Sequence, residues 1–171
     1  MRALFVIVLA VVAGFAVSPL LRADAACPPT SAAASAPGDW SAEQLAHARL
    51  IVTIGARRRV PVEGQVIAIA TALQESRLRN LRSGDRDSIG LFQQRPSQGW
   101  GSPEQLSDPA YQTGKFYDKL LTVDGWQQMR MTEAAQAVQV SAYPRAYAKH
   151  VPAATRLVDT LSPPASCTAD V

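Results

Sequence analysis

Residues 73–96 read LQESRLRNLRSGDRDSIGLFQQRP. They begin at the end of Val66 to Leu73, eight consecutive residues without a charge. The segment 61–76, PVEGQVIAIATALQES, has Pro61 near its start and apolar residues on every side of its helical wheel, which predicts a central buried helix. That helix finishes on an acid, Glu75. Burial disfavours the charged form of a carboxyl, and the negative pole of a helix disfavours it further. A carboxyl that keeps its proton near neutral pH suits a general acid. The competing reading is a frayed helix end at which Glu75 pairs with Arg77 or Arg79.

After Arg79 the pattern changes. Gly84, Gly90, Gly99 and Gly101 interrupt any helical periodicity, so residues 79–101 read as a turn-rich insertion with a short hairpin. Asp85 and Asp87 fall within it, as a candidate second carboxylate or as turn residues that bond their own backbone. The flanking segments are helical. Ser41-x-x-Gln44 is a capping-box pattern, with Leu45, Ala48, Val52 and Gly55 following at helical spacing. Ser107 or Asp108 caps the next helix, with Pro109 in its first turn. Thr132 is expected to cap 132–142, and 144–161 forms a last helix bent or split at Pro152. Met129 and Met131 read as core filling. No repeat occurs and there is no room for a second domain.

The ends of the chain differ from its middle. Arg2, an uncharged stretch from Ala3 to Leu21 and Ala23-Asp24-Ala25 follow the pattern of a secretory signal, so residues 1–25 are expected to be removed on export. The stretch is also just long enough to remain as an N-terminal membrane anchor. Asp24-Ala25-Ala26 before Cys27 lacks the aliphatic residue usual at lipoprotein processing sites. Residues 26–39 form a Pro/Ala/Ser-rich linker, 40–162 a single domain and 163–171 a tail. The two cysteines, Cys27 and Cys167, stand near opposite ends of the exported chain, where oxidising conditions favour a bridge; free thiols in the tails are the alternative.

Composition excludes several functions. The formal charge of +3 becomes slightly smaller once Arg2, Arg22 and Asp24 are gone, a weak positive balance that suits an anionic polymer such as cell wall. No basic stripe interleaved with aromatics marks a nucleic-acid binder. Arg57 to Arg59 read as a solvated helix end. His47 and His150 have no Cys or His at ligand spacing, so no metal is expected. Phosphate-loop, dinucleotide and Gly-x-Ser-x-Gly patterns are missing, and no cofactor is expected.

Glu75-Ser76, Gly84-Asp85-Arg86 and Gly90-Leu91-Phe92-Gln93, in this order, resemble the lysozyme superfamily, in particular goose-type lysozymes and soluble lytic transglycosylases. The motif likeness spans about Ile67 to Pro96, with a looser helical likeness to about Leu161. It implies a mostly α, lysozyme-like fold with a small β-hairpin region and a central helix that ends in a catalytic Glu. It also implies cleavage of the MurNAc-GlcNAc β-1,4 bond of peptidoglycan by a secreted or cell-envelope protein, expected to be a monomer.

Carried over by position, Glu75 is the catalytic acid and Asp85 the residue that places water. Gln93 and Gln94 have amides suited to sugar hydroxyls and acetamido groups. Trp100 is a candidate for stacking on a sugar ring, and Tyr143 for lining the opposite wall, with core packing as the alternative for both. The chain departs from these families in two places. Arg95 stands at a second acidic position, and Gln139 with Tyr143 replaces a Tyr-Asn pair. Inverting glycosidases separate their carboxyls by about 6.5–9.5 Å and retaining ones by about 5–5.5 Å. Without a second acid in reach, Glu75 acts alone with the N-acetyl group of the substrate. A cell-wall-binding module with the same fold and little activity is the alternative function.

Overall fold

The computed structural model describes residues 39–140 and 145–162. The expected signal segment, most of the linker, both cysteines, Tyr143 and the tail lie outside the described residues. The described chain is mostly helical. Its α-helices are α1 (Ala42–Arg57), α2 (Val62–Ser76), α3 (Pro103–Leu106), α4 (Pro109–Leu121), α5 (Met131–Gln139) and α6 (Val151–Leu161). Short 3₁₀ turns lie at Pro96–Gln98, Trp126–Gln128 and Ala148–His150.

The helix starts obey local chemistry. The Ser41 Oγ accepts the Gln44 N–H at 3.2 Å, while the Gln44 Oε1 accepts the Ser41 N–H at 2.9 Å. Asp108 caps α4 through the Ala110 N–H at 2.8 Å, with Pro109 behind it. The expectation at Thr132 needs correction. The cap is two residues earlier, at Arg130, and α5 begins at Met131, where the Glu133 carboxylate reaches back to the Arg130 N–H at 3.1 Å and to the Arg130 guanidinium. At Pro152 the expected split is real: a 3₁₀ turn ends at His150 and α6 starts with the proline in its first turn.

The uncharged run of α2 explains its place. Every residue from Gly64 to Leu73 is buried, and α1, α4, α5 and α6 all pack against the helix. Each fully buried Ile, such as Ile67 or Ile69, contributes roughly 1.5–3 kcal/mol relative to exposure. Across the core, Phe92 of the insertion stacks on Phe116 of α4, with ring centroids 4.8 Å apart. The buried Tyr117 hydroxyl donates to the Ile51 carbonyl at 3.1 Å, which joins α4 to α1. Arg58 is more than a solvated helix end, since it pairs with Asp118 and donates to the Gly114 carbonyl of α4.

Among the described residues the β-structure is one isolated antiparallel bridge, Ile89 to Gln94, closed by N–H···O bonds of 3.0 and 3.1 Å. Gly90 lies inside it with φ +77°, and a Cβ there would come 1.6 Å from the Gln112 Nε2 and 2.7 Å from the Leu106 carbonyl oxygen. Both the backbone angle and the space demand glycine. Gly90→Ala should therefore destabilise the protein by about 2 kcal/mol or more in urea unfolding. Gly99 has a similar φ of +79°, but a Cβ there would meet no atom within 4 Å. Gly99→Ala should cost only about 1 kcal/mol.

Candidate active site

Glu75 stands in the last turn of α2. Beyond it the backbone turns left-handed at two successive residues, Arg77 with φ 55° and Leu78 with φ 59°. Leu78 is fully buried, and its N–H returns to the Ala72 carbonyl at 3.1 Å, so packing holds a conformation that non-glycine residues seldom adopt. The carbonyls this turn exposes are taken by α1: the Gln44 Nε2 donates to Arg77 O at 2.9 Å and the His47 Nδ1 to Leu78 O at 2.8 Å. The His150 Nε2 sits 3.1 Å from the Gln74 Oε1. Both isolated histidines thus brace the end of α2.

The partner of Glu75 is not an arginine. The Tyr147 hydroxyl donates to its Oε1 at 3.1 Å, and the nearby Gln139 side chain also favours the charged carboxyl. Among the described residues neither Arg77 nor Arg79 forms an ion pair with it. Burial raises the Glu75 pKa above its ordinary value, and the bonds from Tyr147 and Gln139 pull it part of the way back. Neither Asp85 nor Asp87 is among the groups that shift it.

Three side chains fix the Leu91–Phe92 segment of the insertion. The Ser76 hydroxyl, next to Glu75, bonds the Leu91 carbonyl at 2.7 Å and accepts the Arg79 N–H at 3.2 Å. The Gln112 Oε1 of α4 accepts the Phe92 N–H at 2.9 Å, and its Nε2 donates to the Leu106 carbonyl. From α5, the Gln139 Nε2 donates to the Phe92 carbonyl at 2.8 Å. Gln139 therefore both ties down this segment and acts on the acid.

The remaining candidates separate. Gln93 is half-buried, with φ 48°, and donates to the Gly90 carbonyl at 3.0 Å; its carboxamide lies against Gly84, where a Cβ would meet the Oε1 at 1.7 Å. Gln94, expected to face substrate, is only 1% exposed, because bridge pairing turns its side chain inward toward the Gln112 carbonyl. Asp85 is exposed, and its carbonyl accepts the Ser88 N–H at 3.1 Å, the geometry of a turn. Asp87 is bound by Ser97 and paired with Arg95, which holds its carboxyl well below the usual carboxylate range. Arg95, one of the two departures from the families that the sequence resembles, thus ties down the insertion through Asp87.

Trp100 packs against the core and also lines a groove of about 680 Å³. The groove runs between the Gln98–Trp100 turn, the α4 residues Lys115, Asp118 and Lys119, and the α5 end at Val138–Val140. Glu75 does not line it, but Gln139 does. Tyr147 and Gln112 were not anticipated from the sequence. Gln112 left a faint signal, as a polar residue at i with buried Phe116 and Leu120 at i+4 and i+8.

Among the described residues no cluster of three or more His, Cys, Asp or Glu is placed to hold a metal, and no helix is long and apolar enough to cross a membrane. No protein-family model matches the chain, and no curated protein shows significant similarity to it.

The raised Glu75 pKa has a stability signature. As pH rises from the ordinary 4.5 through the folded value, the unfolded chain releases its proton first, so the wild type loses stability across that window. Glu75→Gln has no proton to release. Its melting temperature should gain on the wild type as pH goes from below 4.5 to 7, as read by calorimetry at several pH values. Tyr147→Phe removes a bond that favours the ionised form, so an NMR titration of Glu75 should move to higher pH.

Proposed function

We propose that this protein is an exported peptidoglycan-cleaving enzyme of lysozyme-like fold, with Glu75 as its general acid. The observation that carries this reading is the Glu75 carboxyl, half-buried at the end of an apolar helix and held by the Tyr147 hydroxyl instead of a cation. Such a carboxyl keeps its proton to higher pH than an exposed glutamate, as a general acid requires. The buried, hydrogen-bonded Leu91–Phe92 segment gives the site a rigid support, and the groove bordered by Trp100 and Gln139 offers a surface for a glycan strand.

The acids of the insertion favour a one-carboxyl mechanism. Asp87 is committed to Ser97 and Arg95, and Asp85 is an exposed turn residue. In the mechanism Glu75 gives its proton to the glycosidic oxygen as the C1–O bond breaks. The N-acetyl oxygen of the substrate attacks C1 and holds the positive charge as an oxazolinium ion. The Glu75 carboxylate then takes the proton of the 6-hydroxyl, whose oxygen attacks C1 and releases the acetamido group. The product is a 1,6-anhydro sugar, the outcome of a lytic transglycosylase. An exposed Asp85 and a committed Asp87 are also what a wall-binding module with little turnover would have; that alternative requires binding to sacculi with no glycan released.

Mass spectrometry of muropeptides from purified sacculi tests the reading. The wild type should release fragments with anhydro ends. Glu75→Gln should lower the rate by about 10²–10⁴-fold with the fold intact, whereas Asp85→Asn should keep most activity. Reducing ends together with a large loss in Asp85→Asn would instead mean a hydrolase.

A further inference from the structure

The groove beside Gln139 carries charge that a neutral glycan does not need. Lys115 and Lys119 stand on its α4 wall four residues apart, so they share one helix face. The acid between them, Asp118, is paired with Arg58 of α1. Among the described residues neither lysine forms an ion pair, and Lys115 lies over the Tyr111 ring at 5.8 Å. The opposite sides are partly apolar, through Trp100 and Val138. The groove is open to solvent, and its volume of about 680 Å³ is within the range of small-ligand clefts. Gln139 lines the groove, bonds the Phe92 carbonyl and acts on the Glu75 carboxyl, so it connects an occupant of the groove with the acid.

We infer that this groove is a specificity subsite for the peptide-bearing part of the substrate, with Lys115 and Lys119 binding peptide carboxylates. The inference rests on the reading of Glu75 as the acid of a peptidoglycan-cleaving enzyme. Hydroxyl and acetamido groups carry no charge. A muramyl residue bears its peptide through the lactyl ether, next to the bond that Glu75 would protonate. Two ammonium groups on the groove wall therefore separate peptide-substituted glycan from bare glycan.

Binding tests this independently of turnover. In the Glu75→Gln protein, whose ligand survives, titration calorimetry compares a muramyl disaccharide carrying a tetrapeptide with the same disaccharide stripped of peptide. A glycerol-phosphate polymer serves as a third ligand. The peptide-bearing sugar should bind about three- to tenfold more tightly than the stripped one, as two partly exposed charge pairs would give. Adding Lys115→Gln and Lys119→Gln should abolish that preference and leave binding of the stripped sugar unchanged. Lys115→Arg with Lys119→Arg should keep it. The inference fails if the Gln substitutions weaken both sugars equally or neither. It also fails if they remove binding of the phosphate polymer alone. An inactive wild type that still prefers the peptide-bearing sugar would overturn the catalytic reading and leave this subsite standing.

Discussion

Three hydrogen bonds to two consecutive backbone residues hold the candidate site together. The Leu91 carbonyl is tied to Ser76, the Phe92 N–H to Gln112 and the Phe92 carbonyl to Gln139. These side chains come from α2, α4 and α5, so the insertion is fixed against three helices at once. Leu91 and Phe92 are fully buried, and buried backbone groups without partners cost about 1–3 kcal/mol each. The insertion has one bridge in place of a sheet ladder, so it depends on side chains for these bonds. Gly90 is the counterpart of this arrangement, because Gln112 fits only where a Cβ is missing.

The same constraint places Glu75. Ser76 draws the insertion onto the end of α2, and the left-handed residues Arg77 and Leu78 turn the chain away immediately after. The carboxyl is left in a position too dry for easy ionisation yet within reach of Tyr147 and Gln139. Burial outweighs the two bonds, which is why the net shift is upward. Non-glycine residues with positive φ recur around the site, at Arg77, Leu78, Arg86, Gln93 and Val140. Local strain of this kind persists where surrounding packing over-determines the backbone.

Gln139 links the acid to the groove. Its carboxamide bonds the insertion, reaches Glu75 and borders the lysine-walled cavity. A substitution there would disturb loop position, acid ionisation and groove shape together. Asp87 and Arg95 form a separate brace on the other side of the insertion, and their pairing removes from general acid–base work a carboxylate that composition alone had left available.

The sequence by itself determined what depends on near neighbours. The Ser41 box and the Asp108 cap follow from residues two or three apart, and the central place of α2 follows from an uncharged run with no polar face to expose. That an acid closes this helix was equally legible, as was the glycine-rich break after it. Only the tertiary structure decided the partners. Tyr147 reaches Glu75 across 72 residues and Gln139 reaches Phe92 across 47, separations over which periodicity carries no information. It also sent Gln94 inward and left Gln93 half-buried, since pairing register, not residue type, selects which side chain of a bridged segment meets solvent.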